Sequence, residues 1–174
     1  GEKEYYLEDD EATKKIRDGY KAHIVKMFQL IGQDEKQATK SMEAVMEIET
    51  RLAKKSFNAV EQRNPAANYH MLTLDELKKQ IPGFDWDAYI SAVGVKGVTS
   101  LNVSQIEPVQ EAVAIINELP MDKQKAYLQW KLIDSAASYL SDAFVAQNFE
   151  FYGKVMSGKK EDQPRWKKAV GTVN

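Results

Sequence analysis

The chain has 174 residues, of which 43% are hydrophobic and 29% charged, with a formal net charge of −2 and no cysteine. That balance suits one folded domain and argues against disorder, and the near-neutral charge offers no overall pull towards nucleic acid or anionic lipid. Without cysteine there can be no disulfide, thiolate metal site or thiol nucleophile.

The chain opens on charged Glu2-Lys3-Glu4 where a signal peptide would carry an apolar core, and no apolar run approaches the ~20 residues of a membrane helix. Gly1 and Gly171-Thr172-Val173-Asn174 lack terminal character, so the expectation is a segment of a longer protein.

Ile16, Tyr20, Ile24, Met27, Phe28 and Ile31 recur at three- and four-residue steps and predict a first long helix. Gly32 ends it, and Asp34 is placed to cap a second helix carrying Ala38, Met42, Val45, Ile48 and Leu52. The short connection predicts an antiparallel hairpin. Asn58 to Leu72 is mixed in pattern, and Pro65 breaks any continuous helix there. Thr73-Leu74-Asp75-Glu76 is a capping box, and the helix it starts should stop before Pro82-Gly83.

Asp85 is expected to cap a short helix that turns Trp86, Tyr89 and Ile90 inward. Val93 to Val103, with Gly94 and Gly97, reads as a loop with one short extended piece. Glu107 to Leu119 is helical, with Pro108 in its first turn. From Asp122 a single stripe of Ala126, Trp130, Ile133, Ala137, Leu140 and Phe144 predicts one long helix, stopping at Gly153 or Gly158. Pro164 begins a last helix on which Trp166 is expected to anchor to the core. The fold class is all-α: a bundle-like single domain over 1–174, with antiparallel hairpins, one long helix in its C-terminal half and at most a short extended segment.

No set of residues carries chemistry. Catalytic zinc of the His-Glu-x-x-His type needs two imidazoles one helical turn apart. The only histidines are His23, beside the first apolar stripe, and His70, beside Tyr69 in a loop-like stretch. No Gly-x-Ser-x-Gly elbow is present. Glu47 with Glu49 and Asp85 with Asp87 are close in sequence, but residues two apart on a helix point in different directions. Lys159, Lys160, Arg165, Lys167 and Lys168 form a basic tail around Trp166, yet Glu161 and Asp162 interrupt it, and nucleic-acid binding is not expected. Glu49 and Arg63 could form a bidentate pair that pins the Pro65 turn to the second helix. No residue is assigned a catalytic, cofactor-binding or metal-ligating role, and the substrate-binding residues are unknown.

Widely spaced pieces of the chain nevertheless form an ordered set. They are Tyr5-Tyr6; Tyr20, His23, Met27, Leu30 and Gly32; Val45-Met46-Glu47-Ile48-Glu49 and Leu52-Ala53; Glu61-Gln62-Arg63-Asn64-Pro65 and Tyr69; and the capped helix from Thr73 to Leu77. The set continues with Tyr127-Leu128-Gln129-Trp130, Phe149, Phe151, Gly153 and Pro164-Arg165-Trp166-Lys167-Lys168. In order and spacing it resembles the N-terminal region of the neprilysin and endothelin-converting-enzyme family of zinc endopeptidases, along nearly the whole chain. Ala169 stands where extracellular animal members carry a cysteine, which suits a bacterial relative.

The resemblance implies a two-lobed, mainly helical parent enzyme, with zinc in one lobe and this segment in the lobe that caps the chamber and limits access to short peptides. None of the family's catalytic residues maps onto this chain, so no cofactor is expected here and zinc only in the parent. The implied partners are peptide substrates and the catalytic lobe, and the implied location is extracytoplasmic, periplasmic or at the cell envelope. A segment of such a lobe should also show an apolar patch near its C-terminal tail and along the long helix, with self-association as a consequence. The alternative is a stand-alone helical module that binds a partner protein.

Overall fold

The computed structural model describes residues 3–173. In chain order the elements are α1 (Glu4–Leu7), α2 (Glu11–Leu30), α3 (Glu35–Lys55), α4 (Ala59–Gln62), β1 (Met71–Thr73), α5 (Leu74–Gln80), α6 (Trp86–Ala92), β2 (Ser100–Asn102), α7 (Ile106–Glu118), α8 (Met121–Ala136), a 3₁₀ turn (Ala137–Tyr139), α9 (Asp142–Asn148), a π-helical segment (Phe149–Val155) and α10 (Arg165–Val173). The protein is predominantly α-helical.

Local chemistry sets most boundaries. Asp10 caps α2 by accepting the Thr13 N–H at 3.0 Å, and hydrogen bonds from the Thr13 side chain and then its backbone hold the Asp10 carboxyl below the usual range. Gly32, at φ +97°, ends that helical run, and Asp34 accepts the Gln37 N–H at 2.7 Å to open α3. Thr73 and Glu76 form the expected capping box: the Glu76 carboxylate takes the Thr73 N–H at 2.8 Å and Thr73 Oγ1 takes the Glu76 N–H at 3.3 Å. α5 stops ahead of Pro82-Gly83, and Asp85 caps α6 through the Ala88 N–H at 2.9 Å.

Two features depart from the sequence expectations, and the expected extended piece gains a partner strand that was not expected. The stripe from Ala126 to Phe144 is not one helix: α8 ends at Ala136, and the chain is extended at Leu140 and Ser141 before α9 starts. Ser135, Ser138, Ser141 and Asp142 crowd this stretch, and such residues favour helix ends over interiors. The extended piece of the glycine loop falls at Ser100–Asn102 and finds an antiparallel partner in Met71–Thr73, with Leu72 opposite Leu101. Trp86 is buried on α6, but Tyr89 is 50% exposed and does not turn inward.

The chain divides into two compact units. The first takes the N-terminal residues through Asp9 together with Ala44–Lys125. Its core gathers Leu72, Leu77, Ile81, Trp86, Val103 and Val113, with Phe84, Leu101, Ile106 and Val109 against them. The β-pair brings Leu72 and Leu101 to the same face, so two three-residue strands bury what neither could bury alone. The second unit takes Asp10–Glu43 and the chain from Ala126 onward. Its centre is Trp130, fully buried, with Ile24, Met27, Phe28, Ala38, Ile133, Ala137 and Phe151 among its other buried residues. Trp130 lies edge-on to Tyr20 and donates its indole N–H to the Tyr20 hydroxyl at 3.0 Å.

Candidate functional site

The first unit holds an apolar cleft of about 590 Å³ lined by Phe84, Trp86, Tyr89, Leu101, Val109 and Ile116, among others. Trp86 is fixed there because its indole N–H donates to the Ile81 carbonyl at 2.8 Å, where α5 ends. No carboxylate, imidazole or amine lines the cleft. It can receive apolar side chains.

Charge in this unit is spent on cross-linking. Arg51 of α3 bonds Glu111 at 2.5 Å and Glu118 at 2.8 Å, both on α7, and these partners raise its already high pKa. Glu47 receives Lys123 at 2.5 Å, while Glu49 accepts the Tyr6 hydroxyl at 2.9 Å. The two carboxylates thus diverge, as their helical spacing requires. Asp85 and Asp87 also part company: one caps α6 and the other binds Lys78 at 2.7 Å, raising the lysine's pKa.

The suggested Glu49–Arg63 pair does not form. Arg63 is exposed, and the Pro65 turn is held instead by Asn68, whose amide donates to the carbonyls of Glu61, Gln62 and Asn64 at 3.2, 3.1 and 2.7 Å. A compact amide within the turn reaches three carbonyls at once without immobilising a long cation. Asn102 does similar work across the chain, accepting the His70 N–H at 2.7 Å and donating to the Asn68 carbonyl at 3.0 Å.

The two histidines belong to different units. His70 places Nδ1 3.1 Å from the Val103 carbonyl, beside the β-pair. His23 is 1% exposed on α2, in the aromatic centre of the second unit. Its ring stacks on Phe151 at 5.1 Å, meets Trp130 and Tyr152 edge-on at 5.6 Å each, and has Gln147 Nε2 3.2 Å from Nδ1. Burial pushes its pKa down from 6.5 to about 4.

Among the described residues, no three His, Cys, Asp or Glu side chains gather into a possible metal site. No described helix is long and apolar enough to cross a membrane.

The basic tail is partly neutralised, because Lys168 pairs with Asp162 and Arg165 binds Asp142 at 3.0 Å. Trp166 is 65% exposed, with Lys167 over its ring at 5.5 Å, so it is not the core anchor expected from the sequence. A cation over an indole face gains a few tenths to about 1 kcal/mol at an exposed site, which does not bury the ring. Other large apolar side chains also point outward: Leu128 and Leu132 on α8, Tyr139 just beyond it, and Val170 on α10.

Comparison with known proteins places these features in context. The family model for peptidase family M13 matches residues 1–174. Endothelin-converting enzyme 1 of Rattus norvegicus is 25% identical over 177 residues, covering 97% of this chain and 23% of that protein. Membrane metallo-endopeptidase-like 1 of Homo sapiens is 29% identical over 186 residues, covering 99% of this chain and 24% of that protein. Among solved structures, the zinc metalloprotease Zmp1 of Mycobacterium tuberculosis in its open state superposes with a TM-score of 0.90 at 29% identity, over 99% of this chain and 27% of that one. The inhibitor complex of the same enzyme gives the same score. The chain thus spans about a quarter of the length of the relatives it matches.

Proposed function

Because this chain belongs to peptidase family M13, we propose that it is the non-catalytic helical part of a zinc metalloendopeptidase and forms one wall of the chamber in which the parent enzyme cleaves peptides. The observation that carries this reading is the match to Zmp1 along 99% of this chain and only 27% of that enzyme, in a stretch with no zinc-ligand set among the described residues. The parent's zinc is then held by residues outside this chain. Within it, packed helices set the shape of the opening: flexible peptides enter and folded proteins do not. Closure of the chamber lowers the water content around the reaction and strengthens the electrostatics there. The partners in this reading are peptide substrates and the catalytic part of the parent protein, and the place of action is extracytoplasmic. The outward Leu128, Leu132 and Trp166 are surface the rest of the enzyme covers, and in isolation they drive self-association.

The test has two arms. Zinc titration and a fluorogenic-peptide assay on this chain alone should give neither tight stoichiometric binding nor hydrolysis, and either result would overturn the assignment of an inert part. In the parent enzyme, removing the segment while short-peptide cleavage survives should abolish discrimination against folded proteins. Unchanged discrimination would refute the wall.

A further inference from the structure

The peptidase reading gives no role to the imidazole of His23, although it is the most deeply buried titratable side chain described in the second unit. Three elements close over it: Trp130 from α8, Gln147 from α9, and Phe151 and Tyr152 from the π-helical segment. With the Gln147 amide donating to Nδ1, the ring proton sits on Nε2, and Nε2 meets no hydrogen-bond partner among the described residues. The π-helical turn brings the consecutive residues Phe151 and Tyr152 to one ring, the first stacked on it and the second edge-on, through a local register change of the kind that often marks functional positions.

We infer that His23 is an acid-sensitive catch: its neutral imidazole holds α9 and the π-helical segment against α2, and its protonation releases them. Protonation converts Nδ1 from the acceptor of the Gln147 side-chain bond into a second donor, so it breaks that bond and adds a charge among aromatic side chains, a cost the Gln147 backbone offsets only in part. Among the described residues, the charged groups on the elements that close around the ring have other partners or are exposed. On α2 Asp18 is paired with Lys21, and Lys26, one turn along, is exposed. On α8 Asp134 accepts the Tyr152 hydroxyl at 2.9 Å, and Lys131 is exposed. On α9 Asp142 binds Arg165, and on the π-helical segment Glu150 binds Lys154. The Tyr20 hydroxyl accepts the Trp130 indole N–H.

The direction of the pH effect follows from the ring's pKa, about 4 when folded against 6.5 when free. The unfolded state takes up the proton first, so the stabilisation is complete above pH 6.5 and is lost as the pH falls towards 4. The folding equilibrium of this unit weakens about tenfold per pH unit across that window, or about 300-fold in all.

The experiment follows the full chain carrying His70→Gln, in which His23 gives the only imidazole signals, by NMR and amide hydrogen exchange from pH 7.5 to 4. The His23 ring should stay neutral in the folded state at pH 5.5, while amides of Asp142–Val155 lose protection as the pH drops. Folded-state titration with a midpoint at 6 or above would overturn the inference. His23→Phe keeps a flat ring against Phe151 and should flatten the pH dependence between 6.5 and 4; a slope equal to that of the parent chain would overturn it. Should that variant fail to fold, Gln147→Glu supplies the missing counter-charge and should shift the acid loss to lower pH. No shift would count against the catch.

Discussion

Replacing Gly153 by alanine tests whether the π-helical segment is as tightly closed as it looks. Gly153 is buried, and a Cβ there would overlap the ring of Phe149, with Cδ2, Cε2 and Cγ all in its path. An alanine in a helical position normally gains about 0.5–1 kcal/mol over glycine. Overpacking of this kind costs about 1–3 kcal/mol, because the ring must leave its rotamer well or the turn must open. The expected net result is a loss of about 1–2 kcal/mol. For a chain of this size that is a fall in Tm of roughly 2–8 °C, read by circular dichroism during thermal unfolding. Gly19 is the control: its nearest neighbours are Val155 Cγ1 at 3.4 Å and Phe151 at 3.6 Å, so Gly19→Ala should be neutral or gain up to about 1 kcal/mol. In a Phe149→Ala background the penalty at 153 should vanish, giving a coupling energy that a double-mutant cycle measures. A Gly153→Ala protein as stable as the parent, with no coupling to Phe149, would refute the argument.

Substitutions at two further positions probe the first unit. Arg51→Ala should cost about 1–2 kcal/mol in chemical denaturation, because it strands the largely buried Glu111 as well as removing two bonds, and Arg51→Lys should recover only part, since one ammonium cannot fork to both carboxylates. Thr73→Ala should cost about 1 kcal/mol by removing the α5 cap. Its hydrogen bonds hold the Glu76 carboxyl below the usual range, so this contribution is present above the free carboxylate pKa and fades as the pH falls through the folded value; in the variant that dependence should be smaller.

What could be read from the chain, and what could not, divides by the range of the interaction. The start of α5 was legible because Thr73 and Glu76 satisfy each other's backbone within four residues, and the end of α2 because Gly32 alone adopts a left-handed turn cheaply. The break between α8 and α9 was missed because the apolar stripe continues through it: periodicity reports which face is buried, not whether the backbone stays hydrogen-bonded along the way. The Arg63 pairing failed for a related reason. Opposite charges attract any number of partners in a sequence, and only the folded turn shows that Asn68 already holds the carbonyls there.

Composition, helical period, caps and the ordered family set belong to the sequence alone, because each depends on residue type and on spacings of a few positions. The tertiary structure decided everything that requires residues far apart to meet. It put His23 among Trp130, Phe151 and Tyr152, paired Leu72 with Leu101, joined Arg51 to Glu111 and Glu118, and left Trp166 outside. A lone histidine on an apolar stripe reads the same in sequence whether it is half-wet or sealed. Its environment, and hence its charge at a given pH, exists only once distant helices have excluded water from around it.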